Sequence, residues 1–199
     1  MAAPTSVYDP ISELFVANFE RPPNLEEVNL RALTPFQRAL LVIDGTVTKF
    51  IEAVTMEQVE VQLIDQATQR LKTEHRLLEV LSQTPVINRR VLLLGKYSRT
   101  LHAYASSVVV PERAIPDFNK KLEIPGESLG RMLLESRMEQ YRELLWCGRE
   151  RLADPPDAIK EHAGKSFLSR TYRISTEKRP VMLINEKFPL ETSPTPFHH

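Results

Sequence analysis

The chain has 199 residues, 42 % apolar and 26 % charged, with 26 basic and 26 acidic side chains and a formal net charge of zero. That composition fits one soluble globular domain with its own core, and a neutral chain lacks the field that nucleic acid or an anionic membrane would reward. A single cysteine, Cys147, excludes an internal disulfide and a multi-thiolate metal site, and no apolar run approaches the roughly 20 residues of a membrane span.

Residues 1–33 mix short apolar pieces with proline and acidic residues and read as an irregular N-terminal arm. In LTPFQRALLVIDGTVTKFIEAVT, Thr34 is placed to cap a helix with Pro35 at its first position and Gln37 three residues on, a capping-box spacing. Asp44-Gly45 breaks that helix, and a second is expected from Thr46 to about Ala53. The period then changes to two: Val59, Val61 and Leu63 alternate with Glu60 and Gln62, as in a half-buried strand. Residues 66–85 are charged with scattered leucines and read as a short helix or a long surface loop.

Val91 to Leu94 and Leu101 to Val110 read as a hairpin around Gly95-Lys96-Tyr97-Ser98, with Pro111 ending the ladder. Glu127-Ser128-Leu129-Gly130 opens a short helical piece through Leu134. MEQYRELLWCG is expected to be a strand, with a helix as the alternative, and SRTYRIST and PVMLINEKF are two further strands. The spacing is wrong for repeated βαβ units. The expectation is α+β: a single domain over 34–190, with a six-stranded, mostly antiparallel sheet, flanking helices and a flexible tail at 191–199.

No GxSxG, GxxxxGK[ST], GxGxxG or HExxH pattern occurs, and the five histidines lack the spacing of a metal box. His102 reads as an ordinary sheet histidine with its ring satisfied. The N-terminus, MAAPTSVYDP, lacks the basic-then-apolar pattern of a secretory signal, so a cytoplasmic location is expected.

The chemistry-bearing candidates are ionisable residues inside apolar strands. Glu186, among Leu183, Ile184 and Phe188, either faces solvent or sits in a polar pocket. Arg89 and Arg90 precede VLLL; neighbours on a strand point to opposite faces, so at most one enters a pocket. Asp44-Gly45-Thr46 is either helix punctuation or a helix start offering free N–H groups to a carboxylate, and Leu129-Gly130 carries the same two readings.

In order, LLVIDGTVTKFIEA, RRVLLLG with LHAYASSVVVP, SLGRML, SRTYRIST and VMLINEKF resemble the chorismate pyruvate-lyase (4-hydroxybenzoate synthase) family, closest to its longer branch found in cyanobacteria and mycobacteria. The resemblance covers residues 34–190. It implies a chorismate lyase-like α+β fold and elimination of pyruvate from chorismate to give 4-hydroxybenzoate for quinone biosynthesis. It implies no cofactor and no metal. The partners it implies are the small-molecule substrate and product, in a monomer or homodimer.

The family's ligand-binding arginine falls on Arg89 and its binding glutamate on Glu186; these two would be catalytic. The backbone contact of the family falls on Leu129, with Gly130 next. A position that is methionine in the shorter branch is matched by Val47. The resemblance implies a closed, water-poor cavity between Arg89 and Glu186. A non-enzymatic sensor of an aromatic carboxylate, built on the same fold, is the alternative, because effector domains of one class of bacterial transcription regulators share it.

Overall fold

The computed structural model describes residues 9–114, 118–122, 124, 129–136 and 139–190. The expectations for the first residues of the arm, for Glu127 and Ser128, and for the tail lie outside them. Six strands form one sheet: β1 Val59–Arg70, β2 Pro85–Gly95, β3 Leu101–Val109, β4 Tyr141–Arg151, β5 Ser166–Thr176 and β6 Arg179–Pro189. Their spatial order is β1-β2-β3-β6-β5-β4, and every neighbouring pair is antiparallel. Among the described residues four α-helices accompany them: α1 Pro35–Val42, α2 Val47–Thr55, α3 Phe118–Leu122 and α4 Leu129–Ser136. This is the expected α+β class with a wholly antiparallel sheet.

The helix signals act as read. Thr34 Oγ1 accepts from the Gln37 N–H and Gln37 Oε1 accepts from the Thr34 N–H, which closes a capping box ahead of Pro35. The stretch 66–85 is corrected. Gln66 to Arg70 continue β1, paired with Arg89 to Pro85, so β2 starts six residues before the expected Val91. Most of these β1 residues are polar and exposed, so no apolar alternation marks them; partner β2 supplies the ladder. Between the strands a 3-10 turn at Arg76–Leu78 buries Leu78 with Val80, Val86 and Val110.

The β5–β6 hairpin turns on Glu177 and Lys178, both at positive φ (50° and 62°), the mirror-image turn that matches right-handed strand twist. The β2–β3 turn is tied down by Glu57. Its Oε1 accepts from the N–H groups of Tyr97 (2.5 Å) and Ser98 (2.7 Å), and its Oε2 accepts from the Ser98 hydroxyl (2.8 Å). The Ser98 N–H foremost, against some cost of burial, holds this carboxyl below its ordinary value of 4.5.

A carboxyl with a depressed folded pKa contributes stability that is present above the unfolded value and lost as pH falls through the folded one. Glu57→Gln is therefore expected to unfold at lower urea than the parent chain at pH 7. That gap should shrink steadily as pH drops below 4.5; a gap independent of pH would show that the charge plays no part in the turn.

Two helical layers cover one face of the sheet and leave a space between them. Leu40, Leu41, Val47 and Ile51 of α1 and α2 pack against Leu93, Ala103, Leu168 and Phe188. At the other end Phe118, Leu122, Met132 and Leu133 of α3 and α4 pack against Ile87, Val109, Ile174 and Ile184. The opposite face is closed by Ile159 of a 3-10 segment, set among Leu92, Leu94, Tyr104 and Phe167.

The arm runs along the outer edge of β4. Val16 and Ala17 donate to the carbonyls of Leu144 and Leu145, and Glu26 and Arg149 exchange backbone bonds. A sheet edge that would template foreign strands is thereby covered. No described helix is long and apolar enough to cross a membrane.

Candidate active site

Strand register decides which side chains meet. Arg89, Ser107, Ile184 and Tyr172 form one row across β2, β3, β6 and β5, and Val91, Ala105, Glu186 and Arg170 form the next. Side chains two apart on a strand share a face, so Arg89 and Glu186 rise from the same side of the sheet, on strands two spacings or about 10 Å apart. Both line one cavity in the space between the helical layers. Val47, Leu129 and Gly130 line it too, so all five expected residues meet there. The cavity is not closed: it holds about 640 Å³ of atom-free space, its mouth included. Arg90 takes the other face and forms an ion pair with Asp65, a contact that raises its own pKa and lowers that of the aspartate.

Arg89 is only 4 % exposed. Its Nη1 donates to Gln66 Oε1 at 2.6 Å and to the Leu122 carbonyl at 3.4 Å, which aims the guanidinium from two sides. Glu186 is set in a tighter frame. Arg170 Nε donates to Glu186 Oε2 at 2.8 Å, Arg170 Nη2 lies 2.8 Å from the same oxygen, and the Tyr172 hydroxyl donates to Oε1 at 3.2 Å. Arg170 is fully buried, and its Nη1 donates to the carbonyls of Leu41 and Ile43 at the end of α1. Those carbonyls have no partner within the helix and carry the negative end of its dipole, so the arginine joins β6, β5 and α1 in one polar network.

Burial, with the Glu186 charge adding to it, pushes the Tyr172 phenol far above its ordinary value, so this hydroxyl is a permanent donor at neutral pH.

The roof is close-fitting. A Cβ added at Gly130 would lie 2.3 Å from Thr46 Cγ2, so the start of α4 rests directly on the start of α2. Gly130→Ala is expected to push the two helix starts apart, destabilise the chain by about 1–3 kcal/mol and weaken ligand binding. Adding Thr46→Ser, which deletes the obstructing methyl, should restore both. Thermal melts and binding titrations of the single and double variants check this, and an unchanged single variant would refute the contact.

Three cavity or frame residues escaped the sequence reading: Arg142, Arg170 and Tyr172. The spacing of Arg170 and Tyr172 in SRTYRIST puts them on one face, but only the β5–β6 register brings that face to Glu186. Arg142 comes from β4, where its Nη1 donates to the Gly45 carbonyl at 2.7 Å.

Other candidates play no part here. Cys147 is a core thiol, pushed up to about 12 by burial. His102 is not the satisfied sheet histidine expected: it falls where the β2–β3 register slips, and its Nε2 is buried without a hydrogen-bond partner. Among the described residues no group of three or more His, Cys, Asp or Glu is arranged to hold a metal ion.

A guanidinium at one side, a fixed carboxylate at another and Val91, Leu93, Ala105 and Ile184 between them suit a flat, partly apolar acid. The family model of Rv2949c-like chorismate pyruvate-lyases matches residues 41–194. A chorismate pyruvate-lyase of Mycobacterium tuberculosis is 25 % identical over 173 residues, covering 82 % of this chain and 84 % of that protein. One from Mycobacterium leprae is 28 % identical over 170 residues, covering 82 % and 79 %.

Among solved structures, the effector domain of PhnF from Mycobacterium smegmatis superposes with a TM-score of 0.58 at 10 % identity, covering 87 % of this chain and 98 % of that one. The structure of PhnF itself gives 0.59 at 11 % identity, covering 79 % of this chain and 70 % of that one. At such identities these two establish a shared fold and nothing about ligand. With the family model matching residues 41–194 and both mycobacterial lyases aligned along most of their length, the chain belongs to the Rv2949c-like chorismate pyruvate-lyase family.

Proposed function

We propose that this chain is itself a chorismate pyruvate-lyase, releasing pyruvate and 4-hydroxybenzoate from chorismate. The observation that carries the reading is the convergence of Arg89, Glu186 and the first turn of α4 on one cavity with an apolar middle. Arg89 clamps the ring carboxylate, whose planar oxygens match a guanidinium fork. The Leu129 N–H, in the first turn of α4 where backbone N–H groups have no partner within the helix, donates to the same group. Glu186 receives the ring hydroxyl. A carboxylate offers about four lone-pair positions, and Oε1 takes only one described bond, from Tyr172, so room for that hydroxyl remains.

In the reaction the ether C–O bond to the enolpyruvyl group breaks with its electron pair leaving on oxygen. The neighbouring ring C–H gives up its proton, and that C–H pair completes the aromatic ring. The departing enol takes up a proton at carbon and becomes pyruvate. The balance is redox-neutral. Aromatisation supplies much of the driving force, so the protein's task is to hold the diene acid in a reactive geometry away from bulk water, with Glu186 placed to assist the proton transfer.

Purified protein incubated with chorismate should form 4-hydroxybenzoate and pyruvate in equal amounts. No product above the uncatalysed rate sinks the reading. A pocket that fits a flat acid also retains it, so a rapid first turnover followed by slower steady-state turnover is expected. Supply of a quinone precursor in the cytoplasm is the role we assign to the product.

The likeness to the PhnF effector domain supports a second reading, an aromatic-carboxylate sensor. Tight binding of 4-hydroxybenzoate without any turnover of chorismate would favour it.

A further inference from the structure

The cavity contains a second guanidinium that the preceding scheme leaves idle. Arg142 rises from β4, lines the cavity beside Gly45 and Thr46, and stacks over Tyr172 with its guanidinium carbon 4.9 Å from the ring centroid. Its side chain is 11 % exposed, and its Nε is buried without a hydrogen-bond partner. Nη1 is engaged by the Gly45 carbonyl, and the nearest carboxylate oxygen, on the solvent-facing Asp44, stands 3.7 Å away. The edge of the fork formed by Nε and Nη2 is therefore unengaged among the described residues. A buried donor left without a partner is costly, and one that lines a cavity is placed to take its partner from a ligand there.

Charge accounting gives the ligand class. Arg170 and Glu186 neutralise each other in a direct pair. Arg142 adds a positive group on β4, at the far side of the cavity from Arg89 on β2, with β3, β6 and β5 between them. A monocarboxylate such as 4-hydroxybenzoate has one anionic group and satisfies one of these sites. Chorismate has two, one on the ring and one on the enolpyruvyl side chain.

We propose that Arg142 binds the second carboxylate, that of the enolpyruvyl group, through its Nε–Nη2 edge. The site is then built for a dicarboxylate whose acid groups lie on different arms of one ring. This inference rests on the lyase reading and extends it: the ring acid and hydroxyl meet Arg89 and Glu186, and the leaving group is oriented separately by Arg142. Once the ether bond breaks, the two carboxylates belong to two molecules. Pyruvate stays at Arg142 only as a small monoanion and leaves first, while the aromatic acid remains with Arg89.

The test compares the parent chain, Arg142→Gln and Arg142→Lys in three measurements: chorismate turnover, the Kd of 4-hydroxybenzoate, and inhibition by pyruvate. One charge-assisted pair corresponds to a change of about 10- to 100-fold. Arg142→Gln should raise KM for chorismate by that factor, abolish pyruvate inhibition, and leave the Kd of 4-hydroxybenzoate within about twofold. Arg142→Lys keeps the charge but not the fork, and should recover part of the KM loss.

Equal weakening of chorismate and 4-hydroxybenzoate by Arg142→Gln would overturn the proposal, because it marks a structural role. An unchanged KM would overturn it as well. Should the parent chain bind chorismate without converting it, the lyase reading fails, and the effect of Arg142→Gln on that binding still decides the inference. No binding of chorismate at all rejects both.

Discussion

Arg89→Ala should lower kcat/KM for chorismate by about 100-fold or more, with the larger part of the loss in substrate affinity. The guanidinium is almost wholly buried and aimed by Gln66 and the Leu122 carbonyl, so its orientation is set before substrate arrives. Removing it deletes a charge-assisted contact from a buried guanidinium, where such contacts are stronger than at the surface. Loss of the bonds to the Gln66 amide oxygen and the Leu122 carbonyl, both neutral acceptors, should cost about 1 kcal/mol each in stability. Arg89→Lys retains the charge but not the bidentate geometry and is expected to fall between the two. Steady-state kinetics with a thermal melt on each variant make the check. Unchanged kcat/KM in a folded Arg89→Ala protein would remove Arg89 from the site.

Breaking the Arg170–Glu186 pair should damage stability and activity together. Arg170 is fully buried and holds both the carboxylate and two carbonyls at the end of α1. Arg170→Met leaves Glu186 as an uncompensated charge inside the protein, which costs about 3–5 kcal/mol, or about 6–20 °C in Tm for a domain of this size. Glu186→Gln leaves the arginine unpaired in the same way and should melt lower than Arg89→Ala, besides losing turnover.

The double variant Arg170→Met/Glu186→Leu removes both charges. Much of the stability should return, since an apolar pair in place of a buried ion pair is often neutral, while turnover stays absent. If the double variant is as unstable as the worse single variant, the pair is not what holds these elements together. If it turns over chorismate normally, Glu186 has no role in the reaction.

The sequence by itself determined the local pieces, where neighbouring residues suffice. Thr34, Pro35 and Gln37 specify a helix start within four residues. The alternation at Val59–Leu63 specifies a strand, and the apolar runs of β2, β3 and β6 specify buried ones. Local pattern singled out Glu186, Arg89 or Arg90, and Leu129-Gly130 as candidates with two readings each. The order of the pieces was enough for a resemblance, and the resemblance chose Arg89, gave these residues roles and added Val47.

Local pattern failed at residues 66–85, because a polar strand segment held by its partner has no amphipathic signature. It failed again at Glu186, which from its neighbours was either solvated or pocketed. Register decided that: the pairing of Arg170 with Glu186 and of Tyr172 with Ile184 puts an arginine and a phenol on the carboxylate. Arg142 was silent for the same reason. It lies 97 residues from Gly45, the carbonyl it binds, and 30 from Tyr172, the ring it covers. Contacts between residues so distant along the chain are set by which strands become neighbours and where α2 and α4 touch, and that is a property of the assembled sheet and its helical roof.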